Sequence, residues 1–220
     1  TGQGDSGDTD VIFLTGVNQK HSGVELETNY MVNDMLDLMF VASFGNWKFD
    51  GDANGNYQET EYNSEGQAIG YTTTEYAYAL DGLYVGDMPQ TSYVLGVTLK
   101  PIKDLRIQAI HKMYDKNYSD WSPSAREFDG TNDDADRAQV WEAPSYNRLD
   151  LHMSYKLPKV KDLDMMLTAN IFNVLDEVYV QDAVDNSQYN GYGSKQHLPH
   201  NAEVFLGTPR YANIGLSIGF

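Results

Sequence analysis

The feature that most constrains the fold of this chain is an alternation of apolar and polar residues with a period of two. It is clearest at the end of the chain, where apolar residues alternate with small or polar ones: Ala212, Ile214, Leu216 and Ile218 against Asn213, Gly215, Ser217 and Gly219. Successive side chains of a β-strand point to opposite faces of the sheet. Such a segment therefore has one apolar and one polar face and is predicted to be a strand.

The same alternation recurs upstream and predicts seven strands in all. In chain order they lie at 24–32, 36–44, 93–100, 105–109, 145–157, 163–171 and 211–220. The first of them is expected to extend back toward Val11. Mean hydropathy is only −0.51, and no apolar run reaches the ~18 residues of a transmembrane helix. A membrane-spanning β-barrel is compatible with both observations, because its strands alternate.

The connections between these predicted strands alternate between short and long. The short ones lie near 33–34, 101–104 and 158–162, and the long ones span about 50–90, 119–144 and 180–209. Structureless connections beyond about 12–15 residues are uncommon in compact domains. Outer-membrane barrels, in contrast, combine short periplasmic turns with long extracellular loops. With Tyr and Trp near strand ends, this favours an all-β, antiparallel up-and-down barrel that spans a membrane over a soluble β-sandwich.

Seven strands do not make a complete barrel. Bacterial barrels normally have an even number of strands, and unpaired backbone groups at two sheet edges would each cost several kcal/mol in lipid. We therefore expect further barrel strands, from an N-terminal portion of the same protein or from another chain. The chain begins at Thr1 without an initiator Met or a signal peptide, so a processed, nicked or truncated chain is expected.

The charge distribution limits the possible partners. The net charge is −17, and residues 50–90 contain no Lys or Arg at all. Cations instead surround two of the short turns: Lys100, Lys103, Arg106, Lys156, Lys159 and Lys161. Nucleic-acid binding requires a basic footprint and is not expected. Acidic loops keep a surface soluble or favour cations around it.

The last residues of the chain resemble an outer-membrane assembly signal. Asn213, Gly215, Ile218 and Phe220 place a polar residue, a glycine and two hydrophobic residues at the usual spacing, with Phe at the end. The resemblance implies recognition by the barrel-assembly machinery. It also implies insertion into the outer membrane of a Gram-negative bacterium, with the apolar rows against outer-membrane lipid.

Three further segments resemble TonB-dependent receptors. Residues 22–27 (Ser-Gly-Val-Glu-Leu-Glu) are similar to a common strand start of that family, and residues 207–210 (Gly-Thr-Pro-Arg) to the start of its closing strand. Residues 170–176 (Asn-Ile-Phe-Asn-Val-Leu-Asp), followed by Tyr179, are similar to its penultimate strand. The segment 170–176 is expected to form a strand end and a turn, without being a binding site.

The resemblance implies a plugged transporter barrel of about 22 strands. Residues 1–220 would be its C-terminal portion, with seven strands, three long extracellular loops and no plug domain. The family's N-terminal plug and TonB-contacting box gate the barrel and couple it to TonB. Those parts are expected outside this chain, so the chain alone should not transport anything.

The sharpest local motif matches the calcium-loop pattern D-x-[DN]-x-[DN]-G-x5-E. Calcium takes about six to eight oxygen ligands, which such a loop supplies from side chains and one carbonyl. The expected ligands of Ca²⁺ are the side chains of Asp50, Asp52, Asn54 and Glu61 and the carbonyl of Asn56. The alternative is an ordinary surface turn rich in Gly, Asn and Asp.

Substrate contact is expected from the long loops and the upper lumen, where Trp121, Trp141 and Tyr146 offer stacking surfaces. The alternative for these aromatic residues is packing at the barrel rim. His197 and His200 are expected in a plain loop, because Pro199 prevents the helical spacing of a metal pair. We find no catalytic triad and no phosphate loop, so an enzyme is not expected.

Two classes of function fit the sequence. The first is active import, in which the intact protein binds a scarce extracellular nutrient and passes it to the periplasm with TonB. The second is a passive or structural outer-membrane barrel, porin-like or adhesin-like, or a split subunit that needs a partner chain. Iron chelates, cobalamin, peptides and glycans all remain open as cargo.

Overall fold

A computed structural model describes residues 11–128, 135–159, 161–185 and 197–219. Their regular secondary structure is almost entirely β, with one short helix, α1 (Pro123–Arg126), and one 3-10 turn (Pro199–Asn201). The strands are β1 Val11–Thr15, β2 Gln19–Asn33, β3 Leu36–Phe49, β4 Ala53–Tyr62, β5 Ala68–Tyr78, β6 Thr91–Leu99, β7 Leu105–Asp115, β8 Asn117–Tyr118, β9 Glu127–Phe128, β10 Glu142–Ala143, β11 Tyr146–Lys156, β12 Asp164–Phe172, β13 Val180–Asp185, β14 Ala202–Leu206 and β15 Tyr211–Gly219. No helix within the described ranges is long and apolar enough to cross a bilayer.

The main sheet has seven strands in the order β2-β3-β6-β7-β11-β12-β15. Every neighbouring pair is antiparallel and follows chain order, so the sheet is an up-and-down meander. Each of these seven strands overlaps one of the seven segments predicted from the alternation, and the prediction of seven strands is confirmed. The expected extension of the first strand to Val11 was wrong. β1 is a separate strand paired with β4, because Gly16 (φ 74°) turns the chain before β2.

The apolar rows of the seven strands are aligned across the sheet. The register places apolar residues opposite one another: Leu151 with Ile171, Leu167 with Leu216, and Leu38 with Val97. These rows are not covered by protein, since Ile214 is 79% exposed, Val24 68% and Leu216 56%. An apolar face of this extent is unfavourable in water, at about 25 cal/mol per Å². It is suited to an apolar solvent.

The opposite face of the sheet, here called the polar face, carries hydrogen-bonded side chains. His152 and Asn170 are joined across β11 and β12 at 2.8 Å, and Asn170 donates to Asn213 of β15 at 2.7 Å. Lys112 of β7 binds the buried carboxylate of Asp150 at 3.0 Å. Each strand of the sheet thus separates an apolar surface from a polar one, as the period of two requires.

The short connections all lie at one end of the sheet. The turn at Asp34 and Met35 joins β2 to β3, residues 100–104 join β6 to β7, and residues 157–163 join β11 to β12. Backbone hydrogen bonds link these turns to one another, from Lys100 N to Met35 O at 2.8 Å and from Lys156 N to Asp104 O at 2.9 Å. The three long connections therefore lie at the other end.

The long connections fold into a structured layer, which we call the cap: β1 and the described residues of 50–90, 116–145 and 173–210. It contains the sheet β1-β4-β5-β9 and the pairs β8-β10 and β13-β14. Its apolar core unites residues of β3 and of the first two long connections: Phe49, Ala53, Tyr78, Leu80, Leu83, Tyr118 and Val140. The connections are thus held by their own core, which a structureless loop lacks.

The separation of the two faces predicts the effect of charged substitutions in β15. Leu216→Arg should lower the free energy of unfolding by about 2–4 kcal/mol, because it places a charge against lipid. Ser217→Arg, on the polar face, should cost much less. Urea titration of the full-length protein in phospholipid bilayers measures both values. Equal losses in the two variants would contradict the assignment of the faces.

Candidate functional site

The segment 170–176 forms a strand end and a tight turn. Asn173 is buried in a left-handed conformation (φ 50°). Its side chain donates to the carbonyls of Glu177 at 2.9 Å and Thr208 at 3.2 Å, and accepts from Glu177 N at 3.0 Å. Its backbone N–H donates to the buried carboxylate of Asp150 at 2.9 Å. The segment therefore ties the end of β12 to β11 and to the start of β15.

The aromatic residues expected to contact substrate are partly used for packing. Tyr146 is buried, with its ring 4.3 Å from that of Tyr179 and 5.0 Å from that of Tyr114. Trp121 packs against the cap core, 6.1 Å from the ring of Tyr78. Trp141 is half-buried, and its carbonyl accepts a hydrogen bond from Ser119 N at 2.8 Å. The predicted role of these three residues in substrate contact remains a prediction.

A further aromatic surface lies on the polar face near the cap, at Trp47. The Trp47 indole lies flat over Gly45, where an added Cβ would meet the ring at 2.8 Å, and stacks with His21 at 5.5 Å. The buried side chain of Gln90 fixes the Trp47 backbone with hydrogen bonds of 2.9 Å to both its N–H and its carbonyl. Trp47 was not among the residues predicted from the sequence, although its place in the alternation of β3 assigns it to the polar face.

The predicted calcium loop is not formed. Asn54, Asn56 and Glu61 lie in the extended strand β4, paired with β5 on one side and with β1 on the other for part of its length. A loop that wraps around an ion requires a sharp turn at Gly55, but Gly55 pairs with Tyr76 inside the ladder. The prediction of an ion-wrapping loop at these residues was wrong, because strand pairing holds the segment extended.

Asp52, another expected calcium ligand, binds an arginine. Both of its oxygens accept hydrogen bonds from Arg137, at 2.9 and 2.7 Å, and the amides of Leu80 and Asp81 donate to it at 3.0 Å. The Arg137 hydrogen bonds, with help from these amides, hold the pKa of Asp52 below its ordinary value. Asp52 therefore joins the first long connection to the second. Asp50 lies at the start of the same connection, and its N–H donates to Asn18 O.

A buried charge network joins the second long connection to the third. Arg126 is 0% exposed and donates to the carbonyls of Asp136 at 2.9 Å and Ala138 at 2.6 Å. Its guanidinium lies 3.5 Å from the carboxylate of Asp185. His197 contacts the same Asp185 carboxylate and lies 3.1 Å from that of Asp136. His197 lies in a loop, as expected, but these distant residues bury its side chain.

Burial lowers the pKa of the Arg126 guanidinium, and the nearby Asp136 and Asp185 carboxylates oppose that effect. A buried ion is tolerated only when it is paired and hydrogen-bonded. Arg126 meets that condition, because the carboxylates of Asp136 and Asp185 both lie beside its guanidinium. The network therefore fixes the relative positions of α1, residues 135–138 and β13.

Three carboxylates meet where the three long connections approach one another. The carboxyl groups of Asp182 and Asp120 lie close enough to Asp87 to affect its pKa. The Asp120 backbone exchanges hydrogen bonds with Ala183 O at 2.8 Å and Asp185 N at 2.7 Å. Burial, together with the charges of Asp87 and Asp182, raises the pKa of Asp120 to about 6. Burial and Asp182 also raise the pKa of Asp87. Among the described residues, no group of side chains is arranged to hold a metal ion.

The residues of the assembly signal lie in the last strand. Asn213 and Gly215 face the polar side, opposite Asn170 and Thr168, and Ile218 lies in the apolar row opposite Met165. Phe220 lies outside the described residues. The predicted role of these positions in assembly remains a prediction.

These features define the class of the protein. A meander with one lipid-compatible face, short turns at one end and a folded cap at the other is a segment of a transmembrane β-barrel of the outer-membrane type. The family described as TonB dependent receptor-like, β-barrel, matches residues 1–174. The chain belongs to this family.

The fold is also similar to that of a solved structure. The siderophore receptor PiuA from Acinetobacter baumannii is 18% identical, with a TM-score of 0.54 over 91% of this chain and 21% of the receptor. The ferric-catecholate import receptor Fiu from K12 E. coli, in its closed form, is 16% identical, with a TM-score of 0.39 over 91% of this chain and 28% of that chain. This chain thus spans about a fifth of the length of PiuA. A comparison with curated proteins gives no match.

The buried charge network predicts unequal effects for two arginines of the cap. Arg126→Met should destabilise the cap by about 3–5 kcal/mol, because it leaves the Asp136 and Asp185 carboxylates buried without their partner. Arg137→Met, at an exposed ion pair, should cost about 0.2–1 kcal/mol. Native-state hydrogen exchange of cap amides in the full-length protein measures both free energies. A small effect of Arg126→Met would show that the network contributes little.

The carboxylate cluster predicts that the cap junction is more stable in mild acid. A carboxyl group with a raised pKa stabilises the folded state below its unfolded pKa, and this contribution is lost as pH rises through the folded value. For Asp120 this window runs from its ordinary 3.8 to about 6. Exchange protection of the Asp120 and Asp185 amides should therefore be higher at pH 5 than at pH 7.5, after correction for intrinsic rates. Asp120→Asn should remove most of this difference, and an unchanged difference would contradict the assignment.

Proposed function

We propose that this chain is the C-terminal barrel portion of a TonB-dependent outer-membrane transporter that takes up a scarce extracellular nutrient. The observation that carries the proposal is the aligned, uncovered apolar face in a chain of this receptor family. Lipid satisfies that face, and the polar face lines the interior. Family members are receptors and transporters, and we infer no enzymatic role for this chain.

The proposal places the chain in the outer membrane of a Gram-negative bacterium. The cap lies on the extracellular side and the short turns lie in the periplasm, as the asymmetry of barrel connections favours. Strands β2 and β15 form the two edges of the sheet, and their free backbone groups require partners in lipid. We infer that other barrel strands of the same protein pair with them.

The remaining parts of the transporter follow from the family. A plug domain fills the barrel, contacts TonB and opens the path for the ligand. The cap and the upper polar face, including Trp47 and His21, would form part of the wall around the incoming ligand. Indole and imidazole rings favour planar or cationic groups over small polar ones. An acidic cap disfavours polyanions.

A passive or structural barrel is the second candidate, and energy dependence separates the two. Cells that express the full-length protein, with and without TonB, are incubated with labelled ferric siderophores, cobalamin, peptides and glycans. One of these compounds should bind in both strains but accumulate only when TonB is present. Cells without the receptor provide the control for background uptake. Equal accumulation in the two receptor strains would favour a passive barrel.

A further inference from the structure

The polar face of the seven-stranded sheet contains four cationic side chains of Lys or Arg: Arg106, Lys112, Arg148 and Lys156. Three of them have a carboxylate of this chain within 4 Å. Lys112 and Arg148 share Asp150 at 3.0 and 3.7 Å, and Lys156 lies 3.8 Å from Asp164. Arg106 alone has no ion pair within the described part of the chain.

Arg106 borders three hollows on the polar face. One, of about 580 Å³, lies under the turn 100–104 and reaches Lys156 and Met166. The second, of about 310 Å³, extends toward Thr98 and Asn29 across β6 and β3. The third, of about 340 Å³, extends toward His152 across β11. The Arg106 guanidinium therefore lies between the three hollows in the lower part of the polar face.

Carboxylates of this chain line two of the hollows beside Arg106, but among the described residues none forms an ion pair with it. Asp34 and Asp104 line the first hollow, under the turn. Asp37 lines the second hollow, but Lys100 holds it at 2.6 Å. Neighbouring strand residues on the polar face are neutral hydrogen-bonding groups, with Ser154 directly opposite Arg106 and Gln108 two residues further along β7. As these side chains are arranged here, none of them supplies an anion that pairs with the Arg106 guanidinium.

We propose that Arg106 anchors a carboxylate side chain of the domain that fills the barrel. This inference rests on the proposed function, which supplies that domain. Once protein covers the polar face, an unpaired guanidinium there would lose its hydration without compensation. A carboxylate offers two oxygens that match the paired N–H donors of Arg. Lipid headgroups are excluded as partners, because Arg106 projects from the face opposite the apolar rows.

Carbodiimide cross-linking of the full-length receptor tests this anchor. Arg106→Lys places an amine at the site, and the reagent joins amines to carboxylates that contact them. Mass spectrometry of tryptic peptides should find a link from position 106 to an Asp or Glu that precedes this chain in the full-length protein. The native Lys112–Asp150 pair, 3.0 Å apart, provides a positive control in the same sample.

A second variant measures the contribution of the charge. Arg106→Gln should increase the rate of proteolytic cleavage of the plug in isolated membranes by about tenfold, as expected for loss of one charge-assisted contact. Arg106→Lys should retain most of the protection. A link from position 106 only to carboxylates of this chain, or no link while the Lys112 control reacts, would overturn the proposal.

Nutrient uptake by the same cells distinguishes the two proposals. TonB-dependent uptake by Arg106→Lys cells, without a cross-link to the plug, would overturn the Arg106 anchor and leave the transport function standing. A cross-link to the plug in cells whose uptake does not depend on TonB would support the anchor and contradict active transport.

Discussion

The structure depends on one constraint, which is that backbone hydrogen bonding and the alternation of residues must agree in register. Six antiparallel ladders join the seven strands of the main sheet. A shift of one residue in any ladder would move a whole apolar row to the polar face. In the observed register, Leu151 is paired with Ala109 on one side and Ile171 on the other. The apolar face is continuous for this reason, and lipid can cover it without breaking a backbone hydrogen bond.

The cap is subject to a different constraint from the sheet, because its three long connections must be held together in water. It holds them with an apolar core around Tyr78 and Leu80, with the exposed Asp52–Arg137 pair, and with the buried network of Arg126. Each of these interactions joins residues that are far apart in the chain. The three connections therefore behave as one folded layer rather than as independent loops, and this layer is suited to forming a stable wall around a binding site.

Charged side chains that are removed from water have partners of opposite charge. Arg126 and Asp150 are buried among partners, which agrees with the high cost of an unpaired buried ion. The carboxylates near Asp120 are close to one another, and burial and mutual repulsion raise the pKa of Asp120. On the polar face, Arg106 is the strand cation that forms no ion pair with a described carboxylate, and the proposed plug contact would supply that charge.

Local patterns in the sequence were enough to predict the seven strands, their antiparallel order and the family, because a period of two and the segment 170–176 depend only on nearby residues. They did not determine the cap. The motif at 50–61 predicted a calcium loop, but pairing with β1 and β5 extends it, and pairing partners are not encoded in a local motif. Likewise, Arg126 and His197 are 71 residues apart, and only tertiary packing brings them together. Alternation predicts a strand because it depends only on residues that are neighbours in the chain. A buried network depends instead on which distant segments pack together and exclude water.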